Sequence, residues 1–185
     1  MFIQIEETPN PNTLKFLPGF TILDEGKNAD FASIEEAKNS ELAEGLFKIE
    51  HITRVFFGHD FISVTKSNTI NWDVLKVEIL TTIMDHFTSG KKALDAGEEI
   101  TYEEFFDEND IEIVNRIKEL MESYIKPAVA QDGGDIKFRG FKDGIVFVEL
   151  HGACSGCPSA ASTLKGGVLN TLRYYIPEVV EVETV

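Results

Sequence analysis

The spacing of hydrophobic positions changes period several times along this 185-residue chain, and each change predicts an element. Phe2 to Glu6 alternates apolar and polar, as a half-buried strand does. Thr8-Pro9-Asn10-Pro11-Asn12 is dense in turn-forming residues, and Thr13 to Leu17 resumes the strand pattern before Pro18-Gly19, so the two runs predict a hairpin. Ser40 is placed to cap a short helix carrying Leu42, Leu46 and Phe47. Arg54 to Phe57 and Phe61 to Thr65 read as strands around Gly58-His59-Asp60. A long helix follows, with Asn71 as N-cap, because Trp72, Leu75, Ile79, Leu80, Ile83 and Phe87 recur at three- and four-residue spacing until Gly90. Residues 1–88 therefore predict a first small domain, a sheet with helices on one face.

Periodicity fades between 89 and 108, where acidic residues dominate, and this stretch predicts an acidic linker containing a short helical turn; its aromatics, Tyr102, Phe105 and Phe106, offer a docking motif for a partner or, the stronger reading, pack against one of the two domains. The second domain spans 109–185. Asn109 and Glu112 have the spacing of a capping box, and Ile113, Val114, Ile117, Leu120, Met121, Tyr124 and Ile125 make one apolar stripe. Pro127 is expected to kink or break that helix. Asp132-Gly133-Gly134-Asp135 turns the chain into strands Ile136 to Phe141 and Ile145 to Leu150, joined by the hairpin signal Lys142-Asp143-Gly144. Ala161, Leu164, Val168, Leu172 and Tyr175 mark a helix from Pro158 to Ile176, and Val179 to Val185 closes the order α-β-β-α-β. The fold class expected is α+β, two small α/β-sandwich domains joined by an acidic linker.

Charge narrows the partners. A formal net charge of −15 argues against nucleic acid, whose phosphates demand clustered Lys and Arg. No run of eighteen apolar residues exists, and the start lacks the basic and apolar regions of a signal peptide, so no membrane association is expected. Only two cysteines are present, with two residues between them, which fits a reducing compartment: cytoplasm, or the mitochondrial matrix for a processed eukaryotic chain.

Those two cysteines, Cys154 and Cys157, carry the chemistry. They follow a strand pattern and precede a helix whose first position suits Pro158, and helix N-terminal amides favour thiolate. Two sulfurs in one exposed turn supply half of a metal site. A tetrahedral zinc or a [4Fe-4S] cluster takes four ligands, so the chain must share the site with a second chain, recruit histidine, or use the thiols for thiol-disulfide exchange. His151 stands three residues before Cys154 and reads as a strand-end side chain rather than a ligand. Asp132 and Asp135 read as solvated turn residues rather than calcium ligands. Gly166-Gly167 inside a helix is costly and predicts a close approach, by a second chain or by packing within the domain.

The segments Asp132-Gly133-Gly134-Asp135, Gly152-Ala153-Cys154-Ser155-Gly156-Cys157-Pro158-Ser159, Thr163-Leu164-Lys165-Gly166-Gly167 and Ile176-Pro177-Glu178-Val179 resemble the C-terminal domain of NifU, the Nfu domain. Residues 1–88, with Glu7-Thr8-Pro9-Asn10-Pro11-Asn12-Thr13-Leu14-Lys15-Phe16, resemble the N-terminal domain of mitochondrial-type and alphaproteobacterial Nfu proteins. The resemblance implies a non-enzymatic iron-sulfur cluster scaffold or carrier. Cys154 and Cys157 from each chain of a homodimer would hold one labile [4Fe-4S] cluster, received from upstream assembly proteins and delivered to apo client proteins. Two competitors remain: a thiol-disulfide oxidoreductase, disfavoured because no Trp precedes Cys154 and Pro177 follows Ile176, and a dimeric zinc protein. Zinc is otherwise expected as an adventitious occupant.

Overall fold

The computed structural model describes residues 2–95, 103–155 and 158–185, with Pro158 to Ala161 described by backbone alone. The chain divides into two compact units, Met1–Glu99 and Ile100–Val185. Among the described residues no helix is long and apolar enough to cross a membrane.

The first unit holds strands β1 (Gln4–Glu7), β2 (Thr13–Leu17) and β3 (Ala29–Phe31), helix α1 (Glu41–Phe47), strands β4 (Ile52–Phe57) and β5 (Ile62–Lys66), and helix α2 (Trp72–Thr88). The strands pair in the order β1-β2-β5-β4-β3, antiparallel throughout. Because side chains alternate across a strand, Leu14, Phe16, Val55, Phe57, Ile62 and Val64 fall on one face, and they share a core with Leu42 and Leu46 of α1 and Leu75, Ile79 and Ile83 of α2. On the opposite face the Thr13 and Thr65 hydroxyls bond at 2.8 Å, the Lys15 ammonium lies 4.6 Å from the Phe61 ring centroid, and Arg54 grips Asp30 through two bonds of 2.8 and 2.7 Å. That last pair anchors β3, a three-residue strand that the hydrophobic pattern does not announce.

Ser40 caps α1 as expected, accepting from the Ala43 amide at 3.0 Å, and its hydroxyl also donates to the Ala93 carbonyl at 2.6 Å. Ala93 is buried in the first core and the Asp95 amide bonds the Asn39 carbonyl, so residues 91–95 of the expected linker complete the first unit. Asn71 occupies the N-cap position of α2 in extended conformation, but its side chain makes no capping bond.

The second unit runs α3 (Ile111–Leu120), a widened π turn (Met121–Ile125), α4 (Lys126–Gln131), β6 (Gly134–Lys142), β7 (Ile145–Gly152), α5 (Pro158–Tyr175) and β8 (Glu181–Thr184). Asn109 does not cap α3: a turn of tighter helix precedes it, and Asp107 accepts from both the Asn109 amide and its side chain. Pro127 bends the register without ending the helix. It has no amide to donate four residues back, and the preceding turn widens so that the Lys126 amide reaches the Met121 carbonyl five residues behind. Val114, Ile117, Met121, Ile125 and Val129 thereby keep one buried line through all three segments.

The sheet order is β6-β7-β8, with β6 and β7 antiparallel and β7 and β8 parallel. Asp143 and Gly144 take φ of 52° and 81°, the left-handed pair that a tight hairpin requires. A bulge at Arg139 shifts the register between Phe138 and Gly140, and Phe141 then pairs with Val146. Ile136, Phe141, Val146, Val148 and Val182 join Val168 and Leu172 of α5 in the second core. Gly166 and Gly167 are exposed on α5, and a Cβ at either would meet nothing within 4 Å. Packing among the described residues therefore does not account for them.

Candidate functional site

The motif loop leaves β7 at a point where two glycine-containing segments close on each other. The Asp132 and Gly133 amides end α4 on the carbonyls of Ala128 and Ala130, Gly133 adopts φ of 81°, and β6 starts with Gly134 paired to Gly152. Gly152 has φ of 64°, which turns the chain out of β7. The Ala153 amide then donates to the Gly133 carbonyl at 3.1 Å, and the Ser155 amide to the Gly152 carbonyl at 3.1 Å. The Asp-Gly-Gly-Asp segment is thus the floor under the cysteine turn.

Gly134 is glycine because the Cys154 side chain fills its place. A Cβ there would stand 2.6 Å from the His151 carbonyl oxygen and 2.8 Å from the Cys154 Sγ. The sulfur accordingly lies inside: Cys154 is 5% exposed and belongs to the second hydrophobic core. This corrects the expectation of an exposed turn for Cys154. A thiol packs as a small apolar group, and a bare glycine backbone gives it room. Cys157 lies outside the described residues. Helix α5 begins at Pro158, so its first turn opens directly after the motif, as expected.

His151 pairs with Asp135 across the β6–β7 ladder and is buried, its Nε2 3.5 Å from Glu149 Oε1. This places the ring beside its own strand neighbour, in accord with a strand-end side chain. Burial pushes the Asp135 carboxyl above the usual carboxylate range, against the opposing pull of Lys126 and a backbone hydrogen bond. Among the described residues no group of three or more His, Cys, Asp or Glu is arranged to hold a metal ion. The sequence signals the supporting role of Gly134 only through the glycine pair Gly133-Gly134 at the start of β6.

Two family models match the chain, the scaffold protein Nfu/NifU N-terminal family over residues 3–90 and the NifU-like domain over residues 117–183. The chain is 50% identical over 186 residues to the human mitochondrial NFU1 iron-sulfur cluster scaffold homolog, covering 100% of this chain and 72% of that protein. The chain belongs to the Nfu family. Mitochondrial NifU-like protein 4 of Arabidopsis thaliana is 46% identical over 186 residues, covering 99% of the chain and 65% of that relative. The mitochondrial NFU1 homolog of Drosophila ananassae is also 46% identical, over 185 residues, and the chain spans 64% of its length. This Nfu chain thus covers somewhat less than two thirds of two of these relatives. Its two matched segments fall one in each compact unit, in keeping with a two-domain α+β fold.

Proposed function

We propose that this Nfu chain is an iron-sulfur cluster scaffold and carrier, not an enzyme. Two chains hold one [4Fe-4S] cluster through Cys154 and Cys157 of each and pass it to apo client proteins. The observation that supports this best is Cys154 seated on the Gly134 backbone shortly before α5, with Cys157 next in the sequence motif, in a chain alike over its full length to proteins named as iron-sulfur cluster scaffolds. A [4Fe-4S] cluster takes four thiolates and one chain has two, so a symmetric pair completes the ligand set.

The burial of Cys154 gives the loading step a physical shape. Its sulfur rests on Gly134, and to bind iron it loses its proton and swings away from the second core, which costs the apolar burial of one thiol. Cluster binding at the interface offsets that cost. Release to a client is ligand exchange: an incoming client thiolate forms an Fe–S bond as a cysteine thiolate of the carrier leaves, without change of oxidation state. The second unit, Ile100–Val185, carries all of these groups and should assemble a cluster alone. A single closely spaced cysteine pair fits a reducing compartment, cytoplasm or mitochondrial matrix.

The test is anaerobic reconstitution of the full chain with iron and sulfide, followed by Mössbauer spectroscopy and addition of an apo [4Fe-4S] enzyme in the presence of a chelator. Faster recovery of client activity than free iron and sulfide give supports a carrier. Retention of the cluster through hours with a competent client would contradict it. Cys154→Ala and Cys157→Ala should each abolish the cluster while far-UV circular dichroism stays close to wild type.

A further inference from the structure

Strand β6 is the outer edge of the second sheet, and a segment of the same chain touches that edge at one place. The Phe105 amide donates to the Arg139 carbonyl at 3.1 Å, and the Phe141 amide donates to the Phe105 carbonyl at 2.9 Å, a single parallel bridge to Gly140. The Phe105 ring lies directly on Gly140, where a Cβ would meet it at 2.5 Å, and its centroid is 5.1 Å from that of Phe147. Glu104 forms an ion pair with Lys118. An acid followed by an aromatic, in extended conformation, thus reads the strand edge.

The hold is slight. Phe105 remains 45% exposed, Glu104 and Lys118 are half-exposed, and among the described residues this is the one bridge outside the named strands. Beside it opens a cavity of about 310 Å³ whose walls include Lys118, Lys126, Lys137, Arg139, Met121 and Phe138. Four cations line it in a chain of net charge −15; Lys118 pairs with Glu104, Lys126 with Glu122, and Arg139 Nε lies 3.3 Å from Glu149 Oε2. The Lys118 ammonium also lies 5.4 Å from the Phe138 ring centroid. The widened turn Met121–Ile125 supplies Met121 and Glu122 to the wall, and such turns recur at functional positions.

We propose that the β6 edge and this cationic cavity form a docking groove for an extended acidic segment of a partner protein bearing a carboxylate followed by an aromatic residue. Glu104-Phe105 is a built-in competitor that occupies the groove in the free chain. A partner strand adds its backbone to the Arg139 carbonyl and Phe141 amide, sets its ring on Gly140, and extends further carboxylates into the cavity, where they compete with Glu122 for Lys126. The tethered segment competes at an effective concentration on the order of millimolar, so partners with more carboxylates than Glu104 alone displace it. The groove stands independently of cluster binding.

The probe is a fluorescein-labelled peptide with the sequence of residues 103–107, extended by two aspartates, titrated by anisotropy into the full chain and into Phe105→Ala. Phe105→Ala should bind the peptide at least tenfold tighter than wild type. That gain should disappear with Lys118→Glu in the same background, and with a peptide whose first phenylalanine is alanine. Hydrogen exchange supplies a second readout: the Phe141 amide should exchange faster in Phe105→Ala and regain protection when the peptide is added. Equal peptide binding by wild type and Phe105→Ala, or binding indifferent to the aromatic, would overturn the proposal. Global unfolding of Phe105→Ala would overturn it too, by making the segment a fixed part of the fold.

Discussion

A Cβ added to Gly134 would lie 2.8 Å from the Sγ of Cys154. The second obstacle is backbone, the His151 carbonyl oxygen at 2.6 Å, so the strain cannot be relieved by turning one side chain. Gly134→Ala should therefore destabilise the apo protein by about 1–3 kcal/mol, the usual penalty for overpacking a filled site. It should also push the thiol off its resting place. Urea unfolding checks the first effect. Reaction of Cys154 with a thiol reagent in a Cys157→Ser background checks the second, with faster modification expected in Gly134→Ala.

Asp135 is a half-buried carboxyl whose pKa is raised by desolvation, against the partial opposition of Lys126. The folded state then holds its proton more tightly than the unfolded chain, so this group lowers stability as pH rises through and above the carboxylate range. Asp135→Asn should raise the Tm at pH 7. The gain should shrink as pH falls through the raised folded pKa toward the ordinary carboxylate value, and vanish below it. A gain independent of pH would mean that packing, not charge burial, sets the effect.

The exposed pair Gly166 and Gly167 separates monomer stability from assembly. With open space at both positions, Gly166→Ala and Gly167→Ala should each stabilise the apo chain by about 1 kcal/mol through helix propensity. If a second chain approaches closely there, the same changes should lower the yield of cluster-loaded dimer. Thermal unfolding and gel filtration of the reconstituted protein read the two effects apart.

How far the sequence reveals this molecule depends on how local each feature is. The Lys142-Asp143-Gly144 hairpin and helix α2 are legible because turn residues and three- and four-residue spacing act within a few positions. Strand β3 is not, since three residues carry no period and its place is fixed by pairing with β4 and the Arg54–Asp30 ion pair. Asn109 has the spacing of a cap, but Asp107 reaches its amide first and a short turn is added before α3. The two ends of the acidic stretch look like linker by composition, yet Ala93 closes the first core and Phe105 bridges to Gly140. The cysteine motif is legible as a spacing, and its chemistry is the proposal above. The burial of Cys154 is not legible, because it depends on Gly134, a residue twenty positions away that meets it only through the β6–β7 pairing.

The central claim is that one chain supplies half of a cluster site. Native mass spectrometry of the anaerobically reconstituted protein tests it most directly. The account predicts a species of twice the 20.7 kDa chain mass carrying one Fe4S4 unit, and no loaded monomer. A single chain carrying an intact cluster would contradict it.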